Sequence, residues 1–160
     1  MMEKTGKWAN YGNMLKKASS EMASKNQKSV GKAAVRLSSY IKKNLTDSGR
    51  TAGKPFRPLK PETILAKGSS KPLIDTSDGR NSVKATKIDN WSWLVGITGD
   101  AKNNENGASI AYYMAAHEFG FVSKNGIVYE PRPWLMPTVE AKKAELIKEI
   151  ETEFKGIFEI

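Results

Sequence analysis

One apolar face runs through the stretch Val30-Gly31-Lys32-Ala33-Ala34-Val35-Arg36-Leu37-Ser38-Ser39-Tyr40-Ile41-Lys42-Lys43-Asn44-Leu45. Its apolar residues recur at intervals of four, three, four and four, and they are Val30, Ala34, Leu37, Ile41 and Leu45. This spacing places them on one side of an α-helix, with Lys and Arg residues on the other side. The stretch therefore predicts a long amphipathic helix with one buried face.

The same helix is expected to extend toward the N-terminus. No proline occurs from Tyr11 to Leu45, and a weaker apolar stripe is formed by Met14, Leu15, Ala18 and Met22. The polar cluster at residues 24–29 marks a place where the helix could break. Residues 1–10 are polar and are expected to be flexible, with Trp8 as the one side chain to bury. Gly49 is the candidate for the left-handed residue after the helix.

Residues 48–80 are the least regular part of the sequence. Four prolines, at positions 55, 58, 61 and 72, disfavour a long helix or a central strand. A short helix is predicted from Pro61 to Lys67, followed by Gly68. The segment is expected to be a mobile arm, and its basic residues up to position 71 are Arg50, Lys54, Arg57, Lys60, Lys67 and Lys71.

The remaining chain predicts a small sheet and two more helices. Alternation over residues 83–88 and 91–97, with a turn at Asp89-Asn90, predicts an antiparallel hairpin in which the tryptophans are core anchors. Residues 108–118 predict a short helix stopped by Gly120, and residues 126–129 a short strand. An extended connector at 131–137 leads to a final helix beginning at Pro137. Its predicted apolar face comprises Val139, Leu146, Ile147, Ile150, Phe154, Ile157 and Phe158.

The expected fold is therefore α+β in a single domain over residues 1–160. It combines a long N-terminal helix, a small antiparallel β-sheet with a hairpin, a short central helix and a C-terminal helix.

Composition restricts the function. The 160 residues contain no cysteine and a single histidine, so a thiol nucleophile, a disulfide framework and a cysteine or multi-histidine zinc site are excluded. No apolar run approaches the ~20 residues of a membrane span, and the N-terminus does not resemble a signal peptide. We expect a soluble protein that stays in the cell where it is made, without a membrane partner.

The formal net charge of +9 is unevenly distributed. Residues 1–90 contain 19 Lys+Arg and 7 Asp+Glu, whereas residues 91–160 contain 7 and 10, giving balances of +12 and −3. This polarity favours contact with a polyanion such as nucleic acid, or head-to-tail contact between like subunits. Solvated lysines without a partner are the third interpretation.

Known catalytic motifs fail at specific positions. Gly53-Lys54 resembles a phosphate-binding loop, but that loop requires glycine at Ser48 and Ser/Thr at Pro55. His117-Glu118 resembles the start of a zinc-protease helix, but the second histidine position holds Phe121. His117 is therefore expected to be a packed or interface residue, Asp75 and Asp78 to be cap or turn groups, and no cofactor or metal is expected. A small hydrolase dependent on His117 remains only a residual hypothesis.

The order of several short motifs resembles the tailed-bacteriophage virion-morphogenesis family, which includes tail-completion and neck proteins. The motifs are residues 59–65, residues 72–76, Ser82, the hairpin end at residues 95–97, Tyr113-Met114-Ala115-Ala116-His117-Glu118-Phe119-Gly120 and Arg132-Pro133-Trp134-Leu135. The resemblance covers roughly residues 55–140. The sequence departs from the family at Ser77, where glycine is usual, and at Gly79, where leucine is usual.

The resemblance implies a non-enzymatic structural protein of the virion neck, assembled in the bacterial host cytoplasm. Its partners would be further copies of itself in a ring, expected to be hexameric, together with the head connector and tail-terminator or tail-tube proteins. The candidate assembly residues are His117, Glu118, Phe119, Arg132 and Trp134. The alternative for residues 131–137 is a connector that covers the sheet within one subunit.

The six basic residues from Arg50 to Lys71 are candidates for contact with DNA in the neck channel. A DNA-binding accessory protein is the alternative function, since the basic N-terminal half would provide salt-dependent affinity. Trp91, Trp93 and Trp134, however, lie in the less basic half, which argues against a stacking platform.

Overall fold

The structure is a computed structural model that describes residues 6–73, 77–103 and 107–155, with side chains from residue 10 onward. It has the predicted α+β architecture. The helices are α1 (Gly6–Thr46), α2 (Pro61–Lys67), α3 (Asp78–Ser82), α4 (Ile110–Phe119) and α5 (Met136–Phe154). The strands are β1 (Lys84–Lys87), β2 (Trp93–Gly96), β3 (Phe121–Val122) and β4 (Val128–Tyr129).

Helix α1 is continuous through residues 24–29, so the break considered there does not occur. It already includes residues 6–10, which were expected to be flexible. Trp8, which was expected to be buried, is not among the residues whose side chains are described. At ~1.5 Å per residue the 41-residue helix is about 60 Å long. Side chains from 10 to 28 are exposed or half-buried and burial begins at Ser29, so the N-terminal half extends beyond the core.

The end of α1 is fixed by Gly49. Its φ of +91° lies in the left-handed region, and its N–H donates to the carbonyl of Asn44 at 2.8 Å. A Cβ at Gly49 would stand 2.2 Å from the carbonyl oxygen of Lys54, so only glycine fits. The predicted role of Gly49 is confirmed.

The core gathers side chains from almost every segment of the chain. Its buried members are Ile41, Leu45, Phe56, Leu73, Val83, Ile110, Met114 and Trp134. Phe56 and Leu73 come from the irregular 48–80 segment and attach both of its ends to the core. Helix α2 lies between them, begins and ends as predicted, and has no buried residue.

The first hairpin pairs β1 with β2 in antiparallel register, with Ala85 opposite Val95. Its inner face packs on α1, where a Cβ on Gly31 would stand 2.9 Å from Cζ2 of Trp93. Residues 78–82, for which no helix was predicted, form α3 just before the strand. The expectation that every tryptophan anchors the core is wrong for Trp91, which is 62% exposed beside the turn.

Helices α1 and α5 pack against each other along a charged seam. Lys32 pairs with Glu153 at 2.8 Å, and Arg36 pairs with both Glu145 and Glu149. Helix α5 begins one residue before Pro137 and buries Leu146, but Ile147 is 43% exposed and does not belong to the buried face. The expected positions of Ile157 and Phe158 lie outside the described residues.

Candidate assembly site

The C-terminal end of α4 is joined to the start of α5 by the buried carboxylate of Glu118. Its Oε2 accepts hydrogen bonds from the backbone N–H groups of Trp134 at 2.7 Å and Leu135 at 2.9 Å. Its Oε1 accepts from the N–H of Met136 at 3.0 Å. These three donors lie at the N-terminus of α5, where the free N–H groups and the helix dipole favour an anion. Glu118 therefore serves as the N-terminal cap of a helix 16 or more residues away.

Trp134 completes this junction from the other side. Its indole Nε1 donates to the carbonyl of Met114 at 2.9 Å, and its ring is 4% exposed. The Trp134 carbonyl accepts from Asn44 Nδ2 at 3.2 Å and from the Thr138 hydroxyl at 2.8 Å. Helices α1, α4 and α5 thus meet at one residue. We call Met114, Glu118 and Trp134 the α4–α5 junction.

Arg132 links the junction to the irregular segment. Its backbone N–H donates to the His117 carbonyl at 2.7 Å, and its Nε donates to the Arg57 carbonyl at 3.3 Å. Arg57 in turn forms an ion pair with Glu130. The half-buried Arg132 therefore positions the segment that follows β4.

His117 lies half-buried beside this segment. Its ring makes an edge contact with Tyr113, with centroids 4.5 Å apart. Burial, together with the positive charges of Arg132 and Lys67, lowers the pKa of His117 to about 4. The imidazole is therefore neutral near pH 7, which fits a packed residue.

The β3–β4 hairpin projects from the junction into solvent. Phe121 pairs with Tyr129, with the two rings stacked at 4.4 Å, and Val122 pairs with Val128. All residues from 121 to 130 are exposed except Ser123, which is half-buried. We call its exposed apolar side chains, together with that of Phe119 at the end of α4, the hairpin patch. Its members are Phe119, Phe121, Val122, Ile127, Val128 and Tyr129.

Two glycines shape this hairpin. Gly126 has a φ of +75° and its N–H donates to the Ser123 carbonyl at 2.9 Å, as in a tight turn closed by a left-handed residue. Gly120, at the base, has a φ of +73°, and a Cβ there would stand 2.7 Å from the Tyr129 carbonyl. Gly120 ends α4 as predicted and also permits the close approach of β4.

Of the five candidate assembly residues, His117 and Arg132 are half-buried, and the other three divide into two groups. Glu118 and Trp134 are buried within the subunit, which favours the alternative of an internal connector for this part of the chain. Phe119 is 77% exposed and is available to a partner. Strand β3 was not predicted, because two residues are too short to show alternation; the signal was the density of apolar residues between Phe119 and Tyr129.

The basic candidates do not all remain available to a polyanion. Arg57 is paired with Glu130, and Lys67 donates to the Lys71 carbonyl at 2.9 Å. The side chains of Arg50, Lys54, Lys60 and Lys71 are exposed.

Neither a metal centre nor a membrane helix is found in the part of the chain that the structure describes. No group of three or more His, Asp or Glu side chains there could hold a metal ion. Within the same residues, no helix combines the length and apolarity needed to cross a bilayer.

The chain matches no protein-family model, no curated protein and no solved structure.

Proposed function

We propose that this protein is a structural component of a phage neck that completes the tail and joins it to the head connector through ring assembly. Its function is geometric: one surface contacts the connector, another contacts the tail-terminator or tail-tube protein, and the subunits contact each other. No catalytic step is required of it.

The observation that carries the proposal is the convergence of the two most informative motifs. Residues 113–120 and 132–135 are separated in sequence, yet Glu118 accepts the N–H of Trp134, and Trp134 donates to Met114. The motif residues therefore form one structural unit. An exposed apolar hairpin projects from that unit, as expected of a protein that acts by assembly.

The two departures from the family pattern differ in what they indicate: the backbone at position 77 supports the resemblance, whereas the space at position 79 does not fit the usual leucine. Ser77 stands where the family usually has glycine, and its φ of +67° lies in the left-handed region that glycine favours. Gly79 stands where leucine is usual, and a Cβ there would stand 2.7 Å from Sδ of Met114. The backbone at position 77 therefore has the conformation that explains the family's glycine, although this chain has serine there.

Deletion of the gene from the phage that encodes it tests the function. Electron microscopy of the lysate should show filled heads and separate tails, and a plasmid copy should restore joined particles. The hairpin variant Val128→Lys should fail to restore joining, whereas the matched surface variant Lys143→Ala should restore it. Normal joined virions in the absence of the protein would contradict the proposal.

The alternative of a DNA-binding accessory protein is less well supported, because part of the basic charge is already used inside the chain. Lys32, Arg36 and Arg57 each pair with a glutamate. A DNA-binding function requires affinity at ~50 mM salt that falls steeply as salt rises. A mobility-shift titration from ~50 to 200 mM salt distinguishes the two functions, and absence of a shift at the lowest salt excludes the alternative.

A further inference from the structure

The chain just after α1 turns back on itself in a loop closed by backbone hydrogen bonds. The N–H of Phe56 donates to the Ser48 carbonyl at 2.7 Å, and the N–H of Lys54 donates to the Gly49 carbonyl at 3.1 Å. These two bonds bring the two ends of the loop side by side at the C-terminus of α1. We call residues 48–56 the basic loop.

The basic loop is also held from within by side chains. The fully buried Asn44 accepts the N–H of Ala52 with its Oδ1 at 2.9 Å. One carboxylate oxygen of Asp47 accepts the N–H of Thr51 at 3.2 Å, and the other accepts the Thr51 hydroxyl. Phe56 fixes the far end in the core. Because the loop is already ordered, little conformational freedom has to be lost when a partner binds it.

The tip of the basic loop presents Arg50 and Lys54 to solvent. Both side chains are exposed, and neither forms an ion pair with any residue that the structure describes. Lys43, exposed in the last turn of α1, adds a third cation close by. Residues 42–60 contain six basic residues and one acidic residue, Asp47, whose carboxylate is occupied in holding the loop.

The basic side chains on the middle of α1 are, by contrast, compensated inside the chain. The hydrogen bond from Lys32, with the charges of Lys28 and Lys25, lowers the pKa of Glu153 at the end of α5. That carboxylate therefore remains charged and neutralises part of the basic helix. The basic loop is the part of the described basic surface where the positive charge is both fixed in place and left for an external partner.

We propose that the basic loop binds the phosphate backbone of double-stranded DNA, with Arg50, Lys54 and Lys43 each contacting a phosphate group. Cations without a carboxylate partner are complementary to a polyanion, and contacts to phosphates need no particular base sequence. The contact itself is independent of the proposed neck function. That the DNA is the packaged phage genome rests on that function.

Three phosphate contacts make a weak and salt-sensitive interaction. Each contact contributes about −0.9 to the slope of log K against log salt concentration, so that three contacts lower the affinity about 40-fold between ~50 and ~200 mM salt. Non-specific complexes have dissociation constants of about 10⁻⁴–10⁻⁶ M, and one with so few contacts should be at the weak end. It should dissociate during a mobility-shift gel, unlike the complex of a DNA-binding accessory protein.

An NMR titration of the isotopically labelled full-length chain with a short DNA duplex tests the proposal. At ~50 mM salt the amide signals of residues 50–54 and of Lys43 should shift, and the affinity should fall about 40-fold at ~200 mM salt. In the double variant Arg50→Gln/Lys54→Gln this fall should be only about 3-fold, because each lost phosphate contact lowers the slope by about 1. The control Lys124→Gln/Lys143→Gln removes the same charge from exposed positions elsewhere and should keep the 40-fold fall.

Four results would overturn the inference. Absence of any shift at ~50 mM salt would mean that the loop does not bind DNA. An equal loss of affinity in the control variant would show attraction by net charge alone. Shifts on the N-terminal half of α1 instead of the loop would place the contact elsewhere. The same shifts with inorganic phosphate, at the same concentration of phosphate groups, would indicate a site for a free anion.

This test can fail independently of the proposed function. If the loop signals do not shift but deletion of the gene still leaves heads and tails separate, the DNA contact is wrong and the neck function stands. If the loop binds DNA while virions join normally without the protein, the contact stands and the neck function is wrong.

Discussion

Glu118 shows how a residue that resembles part of a catalytic motif can instead determine the architecture. Three backbone N–H groups at the start of α5 donate to its two carboxylate oxygens. These hydrogen bonds hold the end of α4 against the proline-rich connector that leads into α5. From the sequence alone, Glu118 and Trp134 were candidates for contact with a partner; their burial gives them an internal role.

Replacing Glu118 with Gln should lower the free energy of unfolding by about 2–3 kcal/mol, because an amide has one acceptor oxygen and leaves at least one buried N–H without a partner. Urea unfolding measures the loss. The control is Glu62→Gln on the exposed surface of α2, which should change stability by less than about 0.5 kcal/mol. Equal, small effects of the two variants would show that Glu118 does not hold the junction together.

His117 should make the protein less stable in mild acid. Its pKa is about 4 in the folded protein, whereas an unfolded histidine titrates near ~6.5. The unfolded chain therefore binds the proton first, and stability should fall as the pH decreases from about 6.5 toward 4. Because the ring is only half-buried, we expect a loss on the order of 1 kcal/mol after discounting for solvent screening.

Thermal unfolding at pH 7 and pH 5 measures this loss. The variant His117→Phe keeps an aromatic ring beside Tyr113 but cannot titrate, so its stability should change less over the same interval. An identical pH dependence in both proteins would contradict the burial of a neutral imidazole.

Ser77 offers a test of backbone strain. A non-glycine residue at a φ of +67° costs on the order of 1 kcal/mol, so Ser77→Gly should raise the melting temperature. The matched change Ser69→Gly, at a position outside the left-handed region, should lower stability slightly, because it adds freedom to the unfolded chain and removes the hydroxyl that accepts the Lys71 N–H at 3.2 Å. If Ser77→Gly lowered the melting temperature, the strain assigned to this position would be wrong.

At the scale of the elements, α1 organises the fold by packing on both the first hairpin and α5. Its repeating apolar residues were sufficient to predict the helix, because one buried face requires a 3.6-residue period. The N-terminal extension was also visible in the absence of proline. The contacts of that half of the helix could not be predicted, because they depend on where Trp91 and Phe154 lie in three dimensions.

Two glycines in α1 separate helix propensity from packing. Gly31→Ala should destabilise the protein by about 1–3 kcal/mol, because the new Cβ would stand 2.9 Å from the ring of Trp93. Gly12→Ala should instead stabilise it, by a few tenths to about 1 kcal/mol, because nothing lies within 4 Å of the added methyl and alanine favours the helix. Chemical unfolding of the two variants measures this difference in sign, and two changes of the same sign would contradict the packing of Trp93 on α1.

The short elements were the least predictable. Helix α3 and strand β3 span five and two residues, which is too short for a hydrophobic period to be recognised. By contrast, α2 was predictable because Pro61 and Gly68 mark its two ends. The candidate site was only partly predictable: its residues were recognised, but the division into buried Glu118 and exposed Phe119 depends on the position of α5.

At the scale of the whole molecule, the charge polarity has a partly internal explanation. The basic N-terminal half and the acidic C-terminal half meet inside the chain, where Lys32 and Arg36 face the glutamates of α5. The hydrogen bond from the Tyr40 hydroxyl, with the nearby Lys142, lowers the pKa of Glu145, which keeps this part of the seam charged. The remaining basic surface is exposed on the irregular segment, where packaged DNA is the partner proposed for it.

An electron cryo-microscopy image of the isolated neck tests the central claim most directly. We expect the image to show a ring of this chain between the head connector and the tail. A neck that joins head to tail and contains no density for this chain would contradict the account.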